Sequence, residues 1–251
     1  MTAMNLFGRL RHLGAVLILG SVLSGCGEVY SYRSPAPGDV PVASGAVAQR
    51  PSLGSLGSLF RRPPPPPTPE QVLTPQVLAG ITTPYLLVTF ETNGSFEPAR
   101  NWGGFAIAGQ NGDVVTWVEG TARTMSFTQA GVLRATRGFG RDVMTTDTRA
   151  LDRVIAGGAA GQSQALRVHR LLNGENKIQA VGLVCRISNR GPATVRLLTG
   201  TFATRLIEEA CLTGAGTEII NRFWLDQNNQ IRQSEQWVSP ELGRIRVQRL
   251  R

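Results

Sequence analysis

The sequence predicts a mainly β domain, an antiparallel β-sandwich or barrel-like sheet with one or two short helices, carried behind a disordered Pro-rich tether. Three observations predict it. Asn93-Gly94, Asn111-Gly112 and Asn173-Gly174 are the dipeptides that tight hairpins with positive φ prefer. Short apolar runs follow one another without βαβ alternation, which argues against a parallel α/β sheet. Finally, 11 of the 15 prolines fall between Pro35 and Pro75, where too little apolar surface is available to offset the entropy of ordering the chain.

The elements follow in order. Residues 1–25 read as a signal peptide: Arg9 and Arg11 are basic, no acid precedes Glu28, and Leu13 to Leu23 is an apolar run of about eleven residues, too short to span a bilayer as a helix. The run ends in Leu23-Ser24-Gly25-Cys26, which resembles the lipobox of bacterial lipoproteins. That resemblance implies a diacylated Cys26 thiol and a second, palmitate-type acylation of the new amino terminus. Two or more acyl chains anchor stably where one does not. Gly27, rather than Asp, follows the Cys and implies forwarding to the outer membrane. The alternative is a plain secretory signal with a Cys near the cut.

Residues 26–67 form the tether. Five consecutive prolines, Pro63 to Pro67, favour a stiff polyproline II rod, and Ser52-Leu53-Gly54-Ser55-Leu56-Gly57-Ser58-Leu59 is flexible by composition. The mainly β domain is expected over 68–251. Thr68-Pro69-Glu70-Gln71 has the residues of a capping box with Pro at the first helical position, opening one short helix with Val72, Leu73 and Val77 on its apolar side. Strands are then predicted at Tyr85–Phe90, Phe105–Ala108, Val114–Val118, Thr121–Thr128 and Val132–Arg137. After a helix around Thr148–Ala156, strands resume at Ala165–Leu172, Ile178–Ile187, Thr194–Ile207, Glu218–Leu225, Gln230–Trp237 and Arg244–Val247. A hairpin-like connection is expected around Gly191-Pro192.

With Cys26 lipidated, Cys185 and Cys211 are left as an even pair in an oxidising compartment, and a disulfide between them is predicted; the alternatives are two buried thiols or one thiol pairing with a partner. His169 is the single His beyond the signal. It shares a strand face with Arg167 and Leu171, and a partly exposed structural position is expected for it. No nucleophile-elbow, HExxH or phosphate-loop sequence is present, and no Cys/His ligand set is clustered, so no catalytic residue, metal site or cofactor is expected. Glu208-Glu209 is adjacent rather than facing; a carboxylate-based glycan-processing enzyme remains an alternative because paired carboxylates can be distant in sequence.

Thr116-Trp117, the stretch Gly131 to Asp142 with its Thr136-Arg137-Gly138-Phe139-Gly140-Arg141-Asp142 turn, Asn221-Arg222-Phe223-Trp224-Leu225-Asp226 and Ser234-Glu235-Gln236-Trp237-Val238-Ser239-Pro240 occur in an order that resembles the YjbF/GfcB family, the lipoproteins of group 4 capsule and exopolysaccharide gene clusters. The resemblance covers roughly Thr74 to Arg251. It implies a lipid-anchored, non-catalytic outer-membrane protein of capsule or exopolysaccharide production or export, facing the periplasm, with proteins of the export system as partners. The family brings no catalytic residues with it.

Physically, the same residues have structural readings too. Gly138 and Gly140 permit positive φ in a tight turn, and Asp142 is placed to accept backbone N–H bonds there or to pair with Arg137 or Arg141. Trp117, Trp224 and Trp237 are candidates for stacking on sugar rings, against the alternative of core aromatics. The net charge is +9, and removing Arg9 and Arg11 leaves +7, 24 basic groups against 17 acids; every basic residue but Lys177 is Arg. Arginine suits bidentate recognition of carboxylates. The pattern Arg244-Ile245-Arg246 puts two arginines on one strand face, so a periplasmic module binding an anionic polysaccharide through Arg244 and Arg246, with Arg137 and Arg141 as further contacts, is the alternative function. A solvated edge strand is the structural reading of the same pattern. The export signal disfavours nucleic acid as a partner.

Overall fold

Alternation at period two sets the strands. In the segment Glu218–Leu225, Ile219, Asn221, Phe223 and Leu225 are buried while the residues between them are half-buried or exposed. The computed structural model describes residues 64–157 and 162–251; the predicted signal peptide, Cys26 and the tether up to Pro63 lie outside the described residues. Described strands are β1 (Tyr85–Phe90), β2 (Trp102–Asn111), β3 (Val114–Glu119), β4 (Arg123–Thr128), β5 (Leu133–Arg137), β6 (Val143–Thr146), β7 (Gln162–Leu172), β8 (Ile178–Leu197), β9 (Gly200–Thr213), β10 (Glu218–Leu225), β11 (Ile231–Ser239) and β12 (Gly243–Arg249). All pair antiparallel in the order β5-β4-β3-β2-β1-β12-β11-β10-β9-β8-β7-β6. This is an up-and-down meander whose first and last strands are hydrogen-bonded, giving a nearly closed barrel-like sheet rather than a sandwich. Among the described strands the one unpaired junction, β5 to β6, is a seam.

The inner face holds two apolar clusters. One gathers Leu86, Val88, Phe105, Met125 and Ile245; the other gathers Leu183, Ile207, Phe223 and Leu225 with Leu151 and Ile155 of helix α3 (Arg149–Ala156). A third cluster lies on the outer face of β1, where Tyr85, Leu87 and Leu250 pack with Leu73. For that reason β1 is buried on both faces.

Several elements differ from the sequence reading. The single helix after Thr68 is two, α1 (Pro69–Val72) and α2 (Pro75–Gly80). Gln71 Oε1 accepts from the Thr68 N–H (2.8 Å) as the capping box requires, but Pro75 bars helix for Thr74, which instead caps a second helix. Strand β6 was not predicted. The predicted strand Thr194–Ile207 crosses a turn at residues 198–199, and Gly191-Pro192 is not a hairpin: it sits inside β8, where the register shifts between Asn189 and Gly191. Such a bulge bends the strand. Asn93-Gly94 does form the expected two-residue turn, both φ positive (52° and 77°), whereas at 173–177 the left-handed residue is Asn176 and Asn173 contributes its side chain, accepting from the N–H groups of Glu175 and Lys177.

Cys185 and Cys211 are direct cross-strand partners in β8 and β9 and are disulfide-bonded, as predicted. His169 is not partly exposed. Arg167, His169 and Leu171 share the inner face and all are buried, His169 at 1% exposure beside the Trp237 ring (5.3 Å). None of the described helices is long and apolar enough to cross a membrane.

Candidate outer groove

Beyond Leu225↔Arg205, β9 pairs with β8 alone, so the end of the β8–β9 hairpin projects past β10. Leu198 at its tip packs on the outer cluster around Leu73 and Leu87. Hairpin and sheet thereby enclose a groove of about 450 Å³, closed at one side by Pro69 and Glu70 of α1 and by Glu97 and Ala99. Strand register builds its floor. Trp224, Gln233, Gln248 and Leu87 form one row across β10, β11, β12 and β1, with Gln248 Nε2 donating to Gln233 Oε1 (2.8 Å). The adjacent row is Glu208, Arg222, Glu235, Arg246 and Thr89, an alternating series of charges. Its ion pairs are Arg222 with Glu208 (3.3 Å) and Glu235 (3.7 Å), and Arg246 with Glu235 (3.1 Å).

Of the sequence-predicted contact residues, the structure brings Trp224 and Arg246 together in this groove. Trp224 is half-buried and faces outward, the position the stacking reading needs. Arg246 is also held by Glu97 (2.8 Å) and lies over the Phe96 ring (4.5 Å). Arg244 shares its face, as the alternation predicts, but is locked by Glu91, whose carboxylate takes both the Arg244 side chain (Nη2 2.6 Å) and its backbone N–H (3.0 Å). Those hydrogen bonds hold the Glu91 carboxyl below the usual carboxylate range and raise the Arg244 guanidinium further. Both strand-face arginines thus have their charge satisfied within the fold.

The remaining candidates lie elsewhere. Trp237 turns to the interior at the end of β11, packing against both inner clusters, and its backbone N–H donates to Asn221 Oδ1 (2.7 Å). Trp117 is 7% exposed and inward. Arg137 spans the seam, donating to the carbonyls of Thr136 (2.5 Å) and Val143 (3.1 Å), and Arg141 pairs with Glu241. Asp142 accepts from Thr136 Oγ1 (2.7 Å) and from the N–H groups of Gly138 (3.0 Å) and Phe139 (3.3 Å), one of the two roles its position suggested. Glu208 and Glu209 do not face one another: Glu208 is in the outer charged row, while Glu209 is buried inside with Arg167 and Asn221. The Glu209 carboxylate lies close to Cys185 and Cys211, whose sulfurs are committed to the disulfide.

Sequence reasoning missed Thr89, Gln233 and Gln248. Thr89 stands between the apolar inward residues Val88 and Phe90, a signal that marks an outward face without saying what lies over it, whereas Gln233, between Arg232 and Ser234, and Gln248, between Val247 and Arg249, carry no such clear alternation. The polyproline end is also placed here: Pro67 accepts from Trp102 Nε1 (2.9 Å) and Pro66 from Arg100 Nη1 (2.6 Å), so residues 66–67 enter the domain on this outer side.

The groove thus sets one aromatic beside amides and a neutralised charge row on a β surface. Residues 51–250 match the family described as group 4 capsule polysaccharide lipoprotein gfcB, YjbF. The chain belongs to the YjbF family. No curated protein matches it significantly. Among solved structures, the hypothetical lipoprotein YmcC from Escherichia coli (K12) is similar to this YjbF-family chain with a TM-score of 0.60 at 14% identity, covering 70% of this chain and 87% of that one. At that identity the likeness is one of fold. An exported protein with YmcC-like fold from Bacteroides fragilis aligns over 67% of this chain and 94% of its own, at 13% identity and a TM-score of 0.30.

Proposed function

We propose that this YjbF-family chain is a lipid-anchored, non-catalytic outer-membrane component of capsule or exopolysaccharide production or export, its domain on the periplasmic side. The observation that carries the reading is the family match over residues 51–250, a family of capsule polysaccharide lipoproteins. The lipobox ending at Cys26 supports the anchor. The outer groove supports direct contact with polymer or with a protein of the export system, because its open indole and amides suit a hydroxyl-rich ligand, while Glu97, Glu208 and Glu235 in and beside it are each paired with arginine and Glu70 at its edge is the carboxylate that no arginine pairs among the described residues. Proteins of the polysaccharide export system are the expected partners.

Deletion of the gene followed by measurement of surface polysaccharide tests the reading. A large loss, restored by the wild-type chain, is expected. Trp224→Ala, accumulating to the same level, should restore less polymer than wild type. Unchanged polymer on deletion overturns the pathway assignment, and full restoration by Trp224→Ala overturns the role of the groove.

A further inference from the structure

The barrel has a second concavity, at the end where the loops β2–β3, β4–β5 and β10–β11 meet. It encloses about 290 Å³, at the small end of ligand pockets, which suits one ring rather than a chain. Its floor is made of inward side chains, Leu86, Trp117, Phe127 and Val247. Its rim is polar: Gln110, Gln129, Asn229 and Gln230 carry amides, and Arg232 and Arg249 carry charge.

The charges there do not balance. Arg232 Nε donates to Asp226 Oδ2 (2.7 Å), and the other oxygen of Asp226 takes the N–H groups of Asn228 (2.8 Å) and Gln230 (3.0 Å), so that carboxylate is fully occupied in shaping the loop. Arg249 shares the inward face of β12 with Ile245 and Val247, and no Asp or Glu pairs with it among the described residues. Its Nε donates to the main-chain oxygen of Arg251 (3.2 Å). Arg205, in register with inward Leu225, donates to the Asn229 carboxamide and likewise pairs with no carboxylate among the described residues. Three guanidiniums therefore lie at one end of the barrel, and among the described residues Asp226 is the one Asp or Glu side chain paired with any of them. This contrasts with the outer face, where Arg222, Arg244 and Arg246 each meet a glutamate.

We infer that this mouth binds a single acidic pyranose, its carboxylate on Arg249, its hydroxyls on the rim amides and its C–H face on the Trp117 floor. Arginine is the residue suited to a carboxylate, and an aromatic floor beneath an amide rim suits a ring with one apolar face and a polar edge. Burial, and next the charge of Arg232, lower the Arg249 pKa from its ordinary value, the condition in which an added anion is favoured. The choice of a sugar over other carboxylates rests on the polysaccharide reading; the anion site itself does not.

Saturation-transfer NMR on the full-length protein in detergent, with sodium glucuronate as probe, tests the inference. Transfer to the ring C–H protons of glucuronate is expected, with little to glucose at the same concentration. Arg249→Gln should weaken glucuronate binding by about tenfold or more, and Trp117→Phe should reduce transfer, while Trp224→Ala in the outer groove should leave both unchanged. Circular dichroism confirms that each variant is folded; should Trp117→Phe fail there, Arg249→Gln alone decides. Glucuronate binding that survives Arg249→Gln, or is abolished by Trp224→Ala, overturns the mouth as its site. Binding of octanoate without glucuronate overturns the sugar. These outcomes are independent of the deletion phenotype, so the two readings fail separately.

Discussion

His169 lies inside the barrel with both ring nitrogens buried and without a protein hydrogen-bond partner among the described residues. Burial, and then the charge of Arg167, lower its pKa from 6.5 to about 3. Folded His169 is therefore neutral at pH values where the unfolded residue takes up a proton. Its contribution to stability is complete above about pH 6.5 and is lost as the pH falls toward 3, by up to about 1.4 kcal/mol per pH unit. His169→Phe, which keeps an aromatic beside Trp237, should flatten that part of the profile in urea titrations at stepped pH; an unchanged slope would count against a buried neutral imidazole. A second residue-scale prediction concerns Gly104. A Cβ there would come within 2.0 Å of the Tyr85 hydroxyl oxygen and 2.7 Å of its ring carbon Cζ, so Gly104→Ala should destabilise by about 1–3 kcal/mol. In a Tyr85→Leu background the same change should cost much less, a coupling that denaturant melts of the four chains resolve. Gly103-Gly104 is visible in the sequence as a pair of small residues inside an apolar run. That Tyr85, on the neighbouring strand, needs the space is a matter of register.

The seam belongs to the scale of elements. Where β5 and β6 would pair, side chains take over: Thr136 Oγ1 accepts from the Val143 N–H (3.0 Å) and donates to Asp142, and Arg137 reaches the Val143 carbonyl. Asp142→Ala would leave the Thr136 hydroxyl and the Gly138 N–H without their acceptor, at a cost of about 1–3 kcal/mol. Hydrogen exchange should accelerate in β5 and β6 and stay as slow as in wild type across β9 and β10; uniform acceleration would mean that the seam opens only with the whole sheet. The turn was legible, because Gly138, Gly140 and Asp142 are turn residues at turn spacing. Strand β6 was not, since Val-Met-Thr-Thr is four residues long and too short to show a period. The β8–β9 hairpin departs from the sequence expectation for a related reason. Gly191-Pro192 carries the composition of a turn, and only pairing across Asn189 and Gly191 makes it a bulge within a strand.

At the scale of the whole molecule, the chain combines a predicted anchor, a predicted tether whose last prolines are fastened to Arg100 and Trp102, and a barrel-like sheet with two concavities. Cys26→Ser should move the protein from the membrane fraction to the soluble periplasmic fraction, with less surface polymer at equal protein level. Retention in the membrane fraction would overturn the anchor at Cys26. Local chemistry alone determined the strand content, the helix at Thr148–Ala156, the even pair Cys185 and Cys211, the shared face of Arg244 and Arg246, and the resemblance to the YjbF family, because turns, periodicity and motif order are short-range properties of a chain. Only the tertiary structure decided that the sheet is barrel-like, that His169 is enclosed, that Trp224 opens outward while Trp117 and Trp237 turn in, and that Arg249 rather than Arg244 has no Asp or Glu partner among the described residues. Those outcomes depend on which strands become neighbours, and pairing between residues a hundred or more apart, as where Leu133 N–H meets Gln236 Oε1 (2.8 Å), leaves no mark at either end of the sequence.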